Sequence, residues 1–183
     1  MIGVVTYASV AILLGWVTYA LAGLFLPASV ALIAACLNGF ISVFLLRDTM
    51  AFHGFVAVLG PMSLVLPLLA LRHMAAAAGV PVNPFGSVEL LVFLLVYIAF
   101  LAASMGVIPV DMYRFGYAPV PVAIMVLMLC AYGWLTGSLF IPLLAVLGQA
   151  LWVLGWGSSN WFDHVLHALL VPVVFVVLFL RLF

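Results

Sequence analysis

The sequence predicts an all-α fold: a polytopic transmembrane helix bundle with about seven spans and no soluble domain. Three observations predict it. Of the 183 residues, 70% are apolar and 4% are charged, whereas a water-soluble domain carries roughly 25% charged residues. A soluble chain so composed would expose apolar patches that soluble monomers avoid. The apolar stretches are long enough for helices of roughly 20 residues, the length that crosses a ~30 Å hydrocarbon core. No sustained polar–apolar alternation is present, as a membrane β-barrel would need, while a helix satisfies its own backbone within lipid.

The basic residues are Arg47, Arg72, Arg114 and Arg181, and there is no lysine. No basic patch exists to neutralise phosphates, so nucleic acid is excluded as a partner. The expected setting is multi-pass insertion in a membrane. The expected partners are the lipid bilayer and either other membrane subunits or further copies of the chain.

The first span is expected over residues 2–26. Ala20-Leu21-Ala22 has the small-x-small form of a signal-peptidase site, but no positive segment precedes the apolar run, so the segment is read as a retained span. Pro27 separates it from a second span, 28–46, which carries Asn38 near its middle. Arg47-Asp48-Thr49 then breaks the chain before a third span, 52–71, with His53 just inside it. Arg72-His73 suits a helix C-terminus, and a longer Pro/Gly-marked loop follows to Gly86. The fourth span is expected over 87–110, with Glu89 suited to its N-terminus.

Asp111 through Ala118 leads to a fifth span, 119–137, and then a sixth, 138–156, with Gln149 near mid-depth. Gly157-Ser158-Ser159-Asn160 precedes the last span, 161–183, with Trp161 as an expected interface anchor. The joins at Pro27 and at Thr136-Gly137-Ser138 are narrow; if one is a kink inside a helix the count is six, and if both are, five. Pro61, Pro67, Pro109, Pro121, Pro142 and Pro172 fall inside or near the span ends, where neighbouring helices can satisfy a freed carbonyl. Two arginines per side leave the orientation unreadable. Cys36 and Cys130 have no metal or redox spacing and read as small mid-span hydrophobes. Ser63-Leu-Val-Leu-Pro67 and Ser138-Leu-Phe-Ile-Pro142 echo one another, which chance in a Leu/Val-rich alphabet explains.

The few polar groups carry the functional expectations, because ionisable side chains within a membrane usually face a partner or water. The densest set opens the last span, where a continuous helix would set His164 and His167 on one face, with Asp163 and His167 also neighbours. Ser159 or Asn160 is expected to cap that helix, which accounts for Asp163 near its N-terminus but not for the two histidines. With seven spans, His53, Asp111, Arg114, Asp163, His164 and His167 lie near one membrane face. Asp163, His164, His167 and Asp111 are therefore the candidate catalytic groups. His53, His164 and His167 are the candidate ligands of a metal ion, which is the expected cofactor if there is one. Asp111 and Arg114 are spaced for an ion pair, and Tyr113 and Tyr117 suit the headgroup level. An amide in hydrocarbon needs a partner, so Asn38 and Gln149 are expected to face the bundle interior, as ligand-binding groups or as helix–helix ties.

These features favour a small-solute transporter or channel lined by Asn38 and Gln149. The alternatives are an intramembrane enzyme on a lipid or isoprenoid substrate with a His/Asp site, and an accessory subunit of a larger membrane complex. No GxSxG, HExxH, P-loop or dinucleotide motif is present.

Overall fold

A computed structural model describes residues 3–59 and 63–182, so Pro61 lies outside the described residues. Among these residues every regular element is helical: α1 (Val4–Ala22), α2 (Ala28–Leu46), α3 (Met50–Leu59), α4 (Val65–Ala77), α5 (Ser87–Ser104), a 3-10 turn (Tyr113–Tyr117), α6 (Pro119–Thr136), α7 (Phe140–Val153), α8 (Trp161–Val165) and α9 (Leu170–Leu180).

Four helices, α1, α2, α5 and α6, are long and apolar enough to cross a membrane. The apolar helices α4, α7 and α9 have 13, 14 and 11 residues. At about 1.5 Å per residue they reach roughly 17–21 Å, short of a ~30 Å hydrocarbon core. Seven full-length spans are therefore not found among the described residues. The expected span 52–71 divides into α3 and α4, and 161–183 divides into α8 and α9.

Proline placement explains these divisions. Pro67, Pro121, Pro142 and Pro172 are each the third residue of a helix. A proline deeper in a helix removes an i→i−4 bond and collides with the carbonyl four residues back. In the first turn no such bond is due, and the fixed φ suits the helix. These prolines are start signals, and a helix running unbroken through Pro67 or Pro172 is what they forbid. The Ser63 and Ser138 segments look alike for the same reason, since each begins a helix two residues after its serine.

Both narrow joins are turns. Residues 23–27 lie between α1 and α2, while Gly137 closes α6 at φ +66° and sends the chain back along it. Helices α1 and α2 run antiparallel, since Val10 packs with Val43 and Tyr19 with Ala31. Their backbones approach closely: a Cβ on Gly39 would fall 2.3 Å from the Ala11 carbonyl oxygen, so nothing larger than glycine fits. Phe52 of α3 joins this packing beside Tyr7 and Val10.

Helix α4 lies alongside α1 in the same direction, with His73 and Met74 beside Trp16 and Tyr19. The second group packs α7 on α6 and α8, and α5 on α9. Val65, Tyr97 and Leu170 meet where α4, α5 and α9 join the two groups.

Helices α5, α6 and α7 each connect the two ends of the bundle. One end holds residues 105–118 and 154–160, and the other holds 78–86 and the α6–α7 turn. At this second end Arg72 and Arg181 grip one segment. The Arg72 guanidinium lies 4.3 Å from the Phe85 ring centroid and hydrogen-bonds the Asn83 carbonyl. Arg181 donates to the Phe85 carbonyl at 2.9 Å and to Ser87 Oγ at 3.2 Å. Glu89 caps the start of α5 through the Gly86 N–H and accepts from the Tyr132 hydroxyl at 2.7 Å.

Candidate functional site

The polar residues at the first end assemble around α8. Asn160 is its N-cap, with Oδ1 accepting the Phe162 N–H at 2.9 Å. Such a cap satisfies one of the donors a helix start leaves unpaired. Asn160 is fully buried, and its Nδ2 donates to the Tyr113 carbonyl at 2.9 Å. That pairing fixes the 3-10 turn against α8. A Cβ on Gly116 would fall 1.9 Å from Asn160 Oδ1, so the turn can approach only because residue 116 is glycine.

Asp163 follows inside this short helix. Its Oδ1 accepts from the Tyr113 hydroxyl at 2.6 Å and its Oδ2 from Ser158 Oγ at 2.5 Å. Both oxygens are thus engaged, by hydroxyls that reach α8 from two different loops. Burial raises the Tyr113 pKa above its ordinary value, and the hydrogen bond and charge of Asp163 raise it further. The phenol therefore stays a donor.

His164 and His167 are both buried, but they do not share a helix face. Helix α8 ends at Val165, and Leu166 is extended at φ −109°, ψ 150°. This corrects the expectation of a continuous helix, for the reason Pro172 supplies. The two rings take separate tasks. His164 Nε2 lies 2.9 Å from the Ser158 carbonyl, an oxygen that can only accept, so this nitrogen carries a proton. His167 Nδ1 accepts the Leu169 N–H at 3.2 Å, just before α9 begins, so this nitrogen is bare.

The other expected residues are placed apart. His53 is exposed on α3, which packs against the α1–α2 pair. Among the described residues no three His, Cys, Asp or Glu side chains come close enough to hold a metal ion, so His53, His164 and His167 are not gathered. Asp111 is exposed, and its Oδ1 accepts the Arg114 backbone N–H at 3.2 Å. The carboxylate caps the turn in place of pairing with the guanidinium, which lies 5.2 Å from the Phe115 ring centroid.

Asn38 is exposed at the edge of the α1–α2 pair, contrary to the inward position expected for it. It donates to Thr18 Oγ1 at 2.7 Å and accepts from Ser42 Oγ at 3.1 Å. Gln149 is half-buried on α7, which packs with α6 and α8, so the two amides belong to different helix groups. Trp161 is not an interface anchor. It is 3% exposed, in one packed cluster with Val122, Val126 and Val165.

An apolar cleft of about 230 Å³ lies between α1, α4 and α7. Val5 and Ser9, Leu64 and Leu68, and Leu147 and Leu151 form its three walls. The Leu64 N–H donates to the His164 carbonyl at 2.8 Å, which joins one wall of the cleft directly to α8. Next to Leu64 the Ser63 hydroxyl is buried with no hydrogen-bond partner among the described residues.

The sequence marks Asp163, His164 and the Asn160 cap, but not Tyr113 and Ser158 as the partners of Asp163 or the Ser158 carbonyl as that of His164. Serine and asparagine before a helix signal a cap, and a tyrosine near a span end signals an interface. Neither signal shows that a turn some 50 residues earlier would supply the hydroxyl. No protein-family model, curated protein or solved structure matches the chain.

Proposed function

We propose that the chain is a multi-pass integral membrane protein that binds a lipid-like molecule. The apolar chain of that molecule occupies the α1–α4–α7 cleft, and its polar end faces the Tyr113–Ser158–Asp163 cluster. The observation that carries this reading is the junction itself, where Leu64 lines the cleft and hydrogen-bonds the backbone of His164. The lining is almost wholly apolar. At about 230 Å³ the cleft is smaller than the ~300–1,000 Å³ of sites for compact drug-sized ligands. Its size and apolar lining suit a hydrocarbon chain.

This reading is preferred to a small-solute path because the two amides that would line such a path sit on different helix groups. It is preferred to acid–base or metal chemistry because both oxygens of Asp163 already accept from hydroxyls and the three histidines form no metal-binding group among the described residues.

The test is photolabelling in proteoliposomes with a phospholipid carrying a diazirine on its acyl chain, followed by peptide mapping. Labelling is expected to concentrate on α1, α4 and α7, and to fall several-fold in Ala8→Phe, which fills the cleft from α1. Labelling spread evenly over the outer faces of α2, α5 and α6, unchanged by Ala8→Phe, overturns the reading.

A further inference from the structure

The amide of Asn38 is the least explained polar group of the molecule. It lies near the middle of α2, in a segment long and apolar enough to span a bilayer, yet its side chain is exposed. A carboxamide has two N–H donors and two acceptor lone pairs. Asn38 uses one donor on Thr18 and one lone pair on Ser42. One donor and one lone pair are left, facing outward at mid-depth, where hydrocarbon offers neither an acceptor nor a donor.

The surroundings allow close approach. One turn from Asn38 on either side stand the small residues Ala34 and Ser42, both half-buried, and the exposed Ile41 and Leu45 flank them.

We propose that the chain self-associates across this Thr18–Asn38–Ser42 edge, with the Asn38 carboxamides of two copies exchanging reciprocal hydrogen bonds. What remains on each amide is one donor and one acceptor, a set complementary to itself. A second copy related by a two-fold axis presents the same set at the same depth without further requirement. An unrelated chain would need its own donor and acceptor at that depth. The inference rests on the chain crossing a bilayer. It adds to the proposed lipid binding a partner and a place on the opposite flank of α1 from the cleft's α4 wall.

The experiment uses the full chain, labelled at its N-terminus with donor or acceptor fluorophores and reconstituted in phosphatidylcholine vesicles over a range of lipid-to-protein ratios. Resistance to carbonate extraction reports membrane insertion separately from energy transfer. Dilution-dependent transfer is expected, with association about tenfold weaker in Asn38→Leu, the scale of two interhelical hydrogen bonds in lipid. Thr18→Val is expected to keep association, because it leaves the Asn38 amide in place. If Asn38→Leu fails to insert, Ile41→Trp decides the matter. It leaves both in-chain bonds of Asn38 intact and blocks the approach of a second copy, so association should fall. A chain that is inserted but monomeric at every ratio overturns the proposal. So does association unchanged in Ile41→Trp.

Discussion

The Tyr113 hydroxyl lies 2.6 Å from Asp163 Oδ1, and with the Asn160–Tyr113 carbonyl bond it ties the turn after α5 to α8 across some 50 residues of sequence. Hydrogen bonds to a charged acceptor are the stronger kind, and removing one partner strands the other. Tyr113→Phe is expected to lower stability by about 1.5 kcal/mol, read as a fall in melting temperature in detergent. An unchanged melting temperature would mean that the bond contributes nothing.

The same pair sets an alkaline limit. Burial, then the hydrogen bond and charge of Asp163, place the folded pKa of Tyr113 above its unfolded value. A group so raised contributes stability that is whole below the unfolded pKa of about 10 and is lost as pH rises through the folded value. Stability should therefore hold to about pH 10 and fall beyond it, with part of the fall absent in Tyr113→Phe. Melting curves across alkaline pH measure both.

Gly116→Ala is expected to cost about 2–3 kcal/mol, because its Cβ would overlap Asn160 Oδ1 and disturb the buried cap. Gly54→Ala is the matched control. Its Cβ meets nothing within 4 Å, and within α3 the change should be neutral or stabilising by about 0.5–1 kcal/mol. Equal effects of the two changes on thermal unfolding would contradict the packing described.

At the other end of the bundle, Arg72→Lys keeps the charge but loses the planar group stacked over Phe85. Arg181→Ala releases the Phe85 carbonyl. Each is expected to loosen residues 78–86, so limited proteolysis should cut this segment several-fold faster, and faster again in the double variant. Cutting at the wild-type rate would show that the segment holds without the arginines.

Pro172→Ala should change stability by less than about 1 kcal/mol, since a proline in the first turn gives up no intrahelical bond. Val174→Pro, two residues on and at a buried position, should cost about 3 kcal/mol or more. Thermal unfolding of the two variants compares them directly.

Composition and hydropathy made the helical character legible, and α2 begins and ends where the apolar run does, at Ala28 and Leu46. The starts of α5 and α6 follow the Pro/Gly-marked loop before Ser87 and the polar stretch before Pro119 as read. Hydropathy could not show the interruptions at Ser63–Leu64 and Leu166–Leu169, because apolar residues flank both. The prolines three residues into α4 and α9 did signal them, but tolerance of proline in membrane helices was weighed in place of its preference for a first turn. The Asp163 cluster was legible only on its own side. Asn160 announces a cap within its local sequence, whereas Tyr113 and Gly116 acquire their roles through a tertiary approach that no spacing encodes. The outward amide of Asn38 ran against expectation because Thr18 and Ser42 satisfy half of its needs at the edge of a helix pair.

The unequal helices have a consequence for the surrounding lipid. In a bilayer, α1 and α2 offer hydrocarbon a length of about 28 Å, while α7 and α9 offer roughly 17–21 Å. Lipid against the short helices would then be thinner than lipid against the long ones, and each ångström of mismatch costs a fraction of a kcal/mol. Beside the short helices the leaflets would be locally compressed.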